Sequence, residues 1–90
     1  MNYLHLGKGT VVREDTVIGI FDLDISSQSH LTRKYLQTSE KAGQVVNASE
    51  DIPKSFVVCK NRERVTVYLS QLAPATLMKR GEIGYENYSI

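Results

Sequence analysis

The sequence has one cysteine (Cys59), no tryptophan, two histidines and a net charge of only +1. A single cysteine excludes an internal disulfide framework and a cysteine-rich zinc site. His5 and His30 stand far apart, with no acidic residue or cysteine at ligand spacing. No metal ligand or general base is assigned to either. No apolar run approaches the roughly 20 residues needed to cross a bilayer, so no membrane partner is expected. The opening Met1-Asn2-Tyr3-Leu4-His5-Leu6 lacks the basic region and long apolar region of a signal peptide, and a cytoplasmic location is expected. There is no Ser/His/Asp set, no paired acid and base, and no glycine-rich nucleotide loop. Catalytic residues, cofactor, metal and small-molecule substrate are therefore all read as none, and the chain is not expected to be an enzyme. The near-zero total charge also lacks the strongly basic balance that usually marks a nucleic-acid-binding domain.

What is present is a chain of 90 residues, 41% apolar and 23% charged. That suits one domain with a thin core, which gains from burying surface against copies of itself. Strand signals dominate. Tyr3-Leu4-His5-Leu6 closes at Gly7-Lys8-Gly9, and Thr10-Val11-Val12-Arg13 follows. The Gly7-Lys8-Gly9-Thr10 segment is read as a turn, because a phosphate-binding loop is longer and runs directly into a helix. Val17-Ile18-Gly19-Ile20-Phe21 is apolar on both faces, which predicts a central strand with a bulge at Gly19. Leu31, Tyr35, Leu36 and Ser39 share one stripe of a helix, with Ser26, Ser27 or Ser29 as its cap and Gly43 beyond its end. Val45-Val46 restarts extended structure. Ser55-Phe56-Val57-Val58-Cys59 and Val65-Thr66-Val67-Tyr68-Leu69 form the clearest hairpin; Val65, Val67 and Leu69 lie on one face, Thr66, Tyr68 and Ser70 on the other. Pro74 opens a short helix that buries Leu77 and Met78 and ends at Gly81. The expected class is α+β: a mainly antiparallel sheet of about five strands, one packed helix and a short C-terminal helix. Residues 1–80 form the domain and 81–90 a tail, either mobile or added as a strand to a neighbour.

The charges are segregated. Residues 53–80 carry Lys54, Lys60, Arg62, Arg64, Lys79 and Arg80 against Glu63 alone, a net of +5; residues 14–24 carry Glu14, Asp15, Asp22 and Asp24, a net of −4. A basic hairpin tip is suited to a phosphate backbone. An acidic edge beside a basic one is equally suited to head-to-tail pairing with an identical subunit, and a tip that is simply solvated fits the residues as well. Asp22 and Asp24 share a strand face, suited to a cation but better to an exposed strand end or a salt bridge with a neighbouring subunit. Cys59, ending an apolar strand, is read as a small hydrophobe.

Four stretches form an ordered pattern: Tyr-Leu-His-Leu-Gly (3–7), Val-Ile-Gly-Ile-Phe-Asp (17–22), Pro-Lys-Ser-Phe-Val-Val (53–58), and Tyr68 to Arg80 with its Ser-x-x-x-Pro-x-Thr core at 70–76. This pattern resembles the RemA/RemB family of extracellular-matrix (biofilm) regulators, and is closer to the RemB branch in its His-Leu-Gly opening and Pro-Lys-Ser segment. The resemblance spans about residues 3–80. It implies a DNA-binding transcriptional regulator with a LytTR-like fold, assembled as a ring-like homo-oligomer that presents basic residues to DNA. It points to Arg13 and Lys54 as phosphate contacts, and the basic hairpin tip adds Arg62 and Arg64 as further candidates. The sequence departs from the RemA branch at two places: Thr16 stands where that branch has an arginine, and Asp51-Ile52 where it has an arginine pair. An oligomeric scaffold that does not bind DNA is therefore the competing expectation. In either case a repeated subunit gains avidity from repetition alone.

Overall fold

Three consecutive residues with positive φ, Gly7 (121°), Lys8 (49°) and Gly9 (74°), reverse the chain after its first strand. Gly7 is required there twice over: its φ suits only glycine, and a Cβ would stand 2.8 Å from the Ala48 carbonyl oxygen. The result is an antiparallel hairpin of β1 (Tyr3–Gly7) and β2 (Thr10–Arg13). In this computed structural model, which describes residues 2–23 and 29–81, a 3-10 turn (Glu14–Thr16) leads from that hairpin into β3 (Val17–Asp22). Then come α1 (His30–Lys41), β4 (Val45–Asn47), β5 (Ser55–Asn61), β6 (Arg64–Ser70) and α2 (Pro74–Gly81). The second sheet has the order β3-β5-β6-β4, with β4 parallel to β6 and the other pairs antiparallel.

The class is α+β, as expected, but the six strands divide into sheets of two and four rather than forming one sheet of about five. A second departure concerns β3. Among the described residues it is an edge strand, hydrogen-bonded to β5 alone; β5 and β6 are central. Its apolar residues on both faces mislead because one face is only partly covered: Ile18 is 53% exposed. The bulge at Gly19 is present, as a register shift between Val17 and Gly19. A Cβ at Gly19 would meet the Phe21 ring at 2.8 Å, and that ring is stacked on Phe56 at a centroid distance of 4.7 Å.

The period-2 alternation of β5 and β6 sorts the core into two layers. Toward one face point Val57, Cys59 and Tyr68, covered by the β1–β2 hairpin through Leu4, Leu6 and Val12 and by α2 through Leu77 and Met78. Toward the other point Phe56, Val58 and Val67, with Phe21, Leu36, Val45, Val65 and Leu69 against them. The sequence alternation in β6 is thus realised. Buried serines tie the first layer together. The Ser70 hydroxyl donates to the Leu6 carbonyl at 2.7 Å and accepts from the Leu72 N–H at 3.1 Å, while the Ser55 hydroxyl donates to the Leu72 carbonyl at 2.7 Å.

Helix α1 forms where the stripe predicts it. Ser29 caps it by accepting from the Thr32 N–H, and Gly43 follows its end with φ 72°. The candidate caps Ser26 and Ser27, Asp24, and the tail beyond Gly81 lie outside the described residues. Half of the stripe does its expected work: Ser39 is buried and Leu36 half-buried, whereas Leu31 is 76% exposed. Among the described residues no helix is long and apolar enough to cross a membrane.

Candidate nucleic-acid interface

The β5–β6 hairpin closes through only two residues, Arg62 and Glu63, since Asn61 pairs with Arg64. This is tighter than the sequence predicted. Arg62 has φ 60°, a left-handed conformation usually given to glycine at the first position of such a loop. Strand alternation then distributes the cations. Arg64 lies on the face of Thr66 and Tyr68; Lys60, opposite Val65, lies on the face that α1 covers. Arg62 stands at the tip between them, and all three side chains are exposed.

Arg13, at the end of β2, comes to the same end of the sheet. The 3-10 turn after it is closed by the Thr16 hydroxyl, which donates to the Arg13 carbonyl at 2.7 Å. Val17 then pairs with Cys59, near the β5 end of the tip. Arg13 and Arg64 share a cleft of about 330 Å³. Arg13 is not a free cation: it pairs with Asp15 at 2.5 Å. Both side chains are about half exposed, so the pair contributes little to stability.

Lys54 is elsewhere. Its N–H donates to the Ser70 carbonyl at 2.8 Å and its carbonyl accepts from the Leu23 N–H at 2.9 Å, which fixes it at the opposite end of β5. Seven residues of strand lie between Lys54 and the tip, about 24 Å at ~3.4 Å each. The four sequence candidates therefore form a group of three, Arg13, Arg62 and Arg64, and one distant member. Lys8 is a cation that the sequence reading passed over. It sits exposed at the β1–β2 turn with φ 49°, and the signal for it is its charge at the apex of a turn that is too short for a phosphate-binding loop but still presents a cation.

The acidic segment does not form a separate edge. Glu14 and Asp15 precede Val17, beside the tip end of β5, and Asp22 pairs with Ser55, next to Lys54. Because β3 and β5 are antiparallel neighbours, each acidic end abuts a basic end. Burial pushes the Cys59 thiol up from its ordinary value, outweighing the hydrogen bond from Thr16 that pulls it down. Burial, and then the neighbouring Cys59, push the Tyr68 phenol up as well. Both are neutral at physiological pH. A protonated, buried thiol is a poor nucleophile. Among the described residues no three His, Cys, Asp or Glu side chains converge to hold a metal.

Comparison with curated proteins gives no match. The model of one family, described as RemA-like, extracellular matrix regulatory protein A-like, matches residues 3–80. That span takes in both sheets and nearly all of α2. The chain, with its two-sheet α+β fold and its cationic hairpin tip, belongs to the RemA-like family of extracellular matrix regulatory proteins.

Proposed function

We propose that this chain is a regulator of extracellular-matrix genes that binds DNA as a homo-oligomer, that it stands nearer the RemB branch of its family, and that it acts without catalysis in the cytoplasm. The observation that carries the DNA reading is the grouping of Arg13, Arg62 and Arg64 at one end of the sheet, on elements far apart in sequence. Three guanidiniums within one surface region suit phosphate oxygens, which they meet with charge-assisted hydrogen bonds. No helix is positioned by this reading to inspect base edges, so binding is to the backbone and favours deformable sequence. Lys54, at the far end of β5, contacts phosphate only if DNA runs along the sheet or a neighbouring subunit brings its own tip alongside.

Self-association has separate support. Among the described residues strand β3 has no partner on its outer edge, and an apolar groove of about 350 Å³ runs beside it, lined by Ile18, Phe21, Leu31, Tyr35, Phe56 and Val58. A second copy of the chain is the occupant we assign to it. Repetition then converts a few weak cations per subunit into useful affinity.

The test is a gel shift on matrix-operon promoter fragments across a salt series. Retarded complexes that weaken steeply with salt are expected. An intact oligomer that shifts no DNA even at low salt overturns the reading. It would favour the second one, an assembly scaffold, which the Arg13–Asp15 pair and the remote position of Lys54 support.

A further inference from the structure

The cleft shared by Arg13 and Arg64 has more structure than a backbone contact needs. It is the part of the first sheet face that the β1–β2 hairpin leaves uncovered, between the end of β2 and the hairpin tip. Period-2 alternation lines up Asn61 and Cys59 on β5 with Arg64, Thr66 and Tyr68 on β6, the cross-strand partners being Asn61–Arg64 and Cys59–Thr66. Arg13 and Thr16 close it from above. No lining residue is acidic; Asp15, outside the lining, pairs with Arg13, so Arg64 is the principal anion-binding group and Arg13 joins it by exchanging Asp15 for the ligand. Two guanidiniums that never lose their charge face hydroxyl and amide donors, and the Cys59 and Tyr68 groups at its floor stay protonated. The Arg64 guanidinium has no hydrogen-bond or ion-pair partner among the described residues, its backbone alone pairing with Asn61. Val11 and Val12 add apolar wall. The volume of about 330 Å³ is roughly ten waters' worth and falls at the low end of small-molecule sites. A lone phosphodiester passing over the surface leaves most of it empty.

We propose that this cleft binds a small phosphate monoester of about mononucleotide size, its phosphate held by Arg64 and Arg13 and its ring or sugar against Tyr68 and the β2 valines. The ligand is bound, not turned over. Because Arg64 also belongs to the proposed DNA surface, the bound phosphate and DNA compete for it, and the ligand acts as a negative effector. The occupancy itself does not depend on the DNA reading.

The test uses the full chain in its native assembly. Adenosine monophosphate, inorganic phosphate and adenosine are titrated separately while the amide resonances of Thr16, Thr66 and Tyr68 are followed. Saturable shifts are expected with adenosine monophosphate, weaker ones with inorganic phosphate and none with adenosine. Arg64→Gln should weaken adenosine monophosphate by about tenfold or more, the loss of one charge-assisted contact, and Arg64→Lys should recover part of it. Lys60→Gln, on the opposite face of the same hairpin, should change it by less than about twofold. Matching unfolding midpoints show that these exposed substitutions leave the fold intact. Absence of saturable shifts with either phosphate probe, equal binding of adenosine, or an equal loss in Lys60→Gln overturns the proposal. Shifts produced by a short DNA duplex but not by adenosine monophosphate also overturn it while leaving the DNA reading in place. Saturation by adenosine monophosphate without any DNA shift sustains the cleft and removes the DNA reading instead.

Discussion

The two faces of the four-stranded sheet are finished differently. On one, Leu4, Leu6, Val57 and Leu77 are fully buried and the serine hydroxyls at positions 55 and 70 each reach a carbonyl. On the other, α1 buries Ser39 and half-buries Leu36 but leaves Leu31 and Tyr35 outside, next to Ile18 on the open edge. The same strands and similar side chains produce a closed layer and an open one. Among the described residues coverage makes the difference: a hairpin and a helix pack on the first, one narrow-striped helix on the second. The closed face buries more of the subunit's apolar surface, and the open face is the one proposed above for association.

Substitutions sort by face if this contrast holds. The largest effect is expected for Gly7→Ala. It forces an unfavourable φ and a clash with a backbone oxygen behind the closed layer, together costing about 3 kcal/mol or more in urea unfolding. Leu77→Ala opens a cavity in the same layer and should cost about 3 kcal/mol. Ser70→Ala leaves the Leu6 carbonyl and the Leu72 N–H without a buried partner and should cost about 2 kcal/mol. Leu31→Ser on the open face should change subunit stability by less than about 0.5 kcal/mol, yet lower the assembly mass in light scattering. A stability loss from Leu31→Ser as large as that from Leu77→Ala would erase the contrast.

The smallest effect separates the faces by pH. Cys59 and Tyr68 both point to the closed layer, and burial raises both above their ordinary values of 9.0 and 10.0. Groups whose folded pKa is raised favour folding while neutral, below the unfolded pKa, and that contribution fades as pH rises through the folded pKa. Unfolding free energy should therefore fall on the alkaline side, and Cys59→Ala should flatten part of that slope after its cavity cost is subtracted. An unchanged alkaline slope in Cys59→Ala would mean that the thiol is not held neutral by the fold.

Much of the fold can be read from the sequence where periodicity is strict. Strand β6 alternates without exception, so both of its faces are assigned correctly, and Pro74 with Leu77 and Met78 marks α2. Strand β3 misleads because hydrophobicity on both faces does not say whether each face has a neighbour. Of the interface, Arg62 and Arg64 are legible as hairpin cations, since they are nearly adjacent and flanked by clear strands. That Arg13 joins Arg64 is not legible: it depends on how the N-terminal hairpin docks across β5, a contact between distant segments that no local pattern encodes. The separation of Lys54 follows from the length of β5, which runs two residues beyond the Ser55–Cys59 stretch that the apolar pattern marks.

The hydrogen bond from Ser70 to Leu6 joins residues 64 positions apart, and Leu4 and Leu6 share their layer with Leu77 and Met78. Strand β1 is thus completed by α2, a helix that lies some seventy residues further along the chain. During synthesis β1 and β2 emerge with no surface to bury and wait, as a bare hairpin that is marginal by itself in water, until almost the whole domain has left the ribosome. Such sequence-distant pairing slows folding and concentrates it in one late, cooperative step.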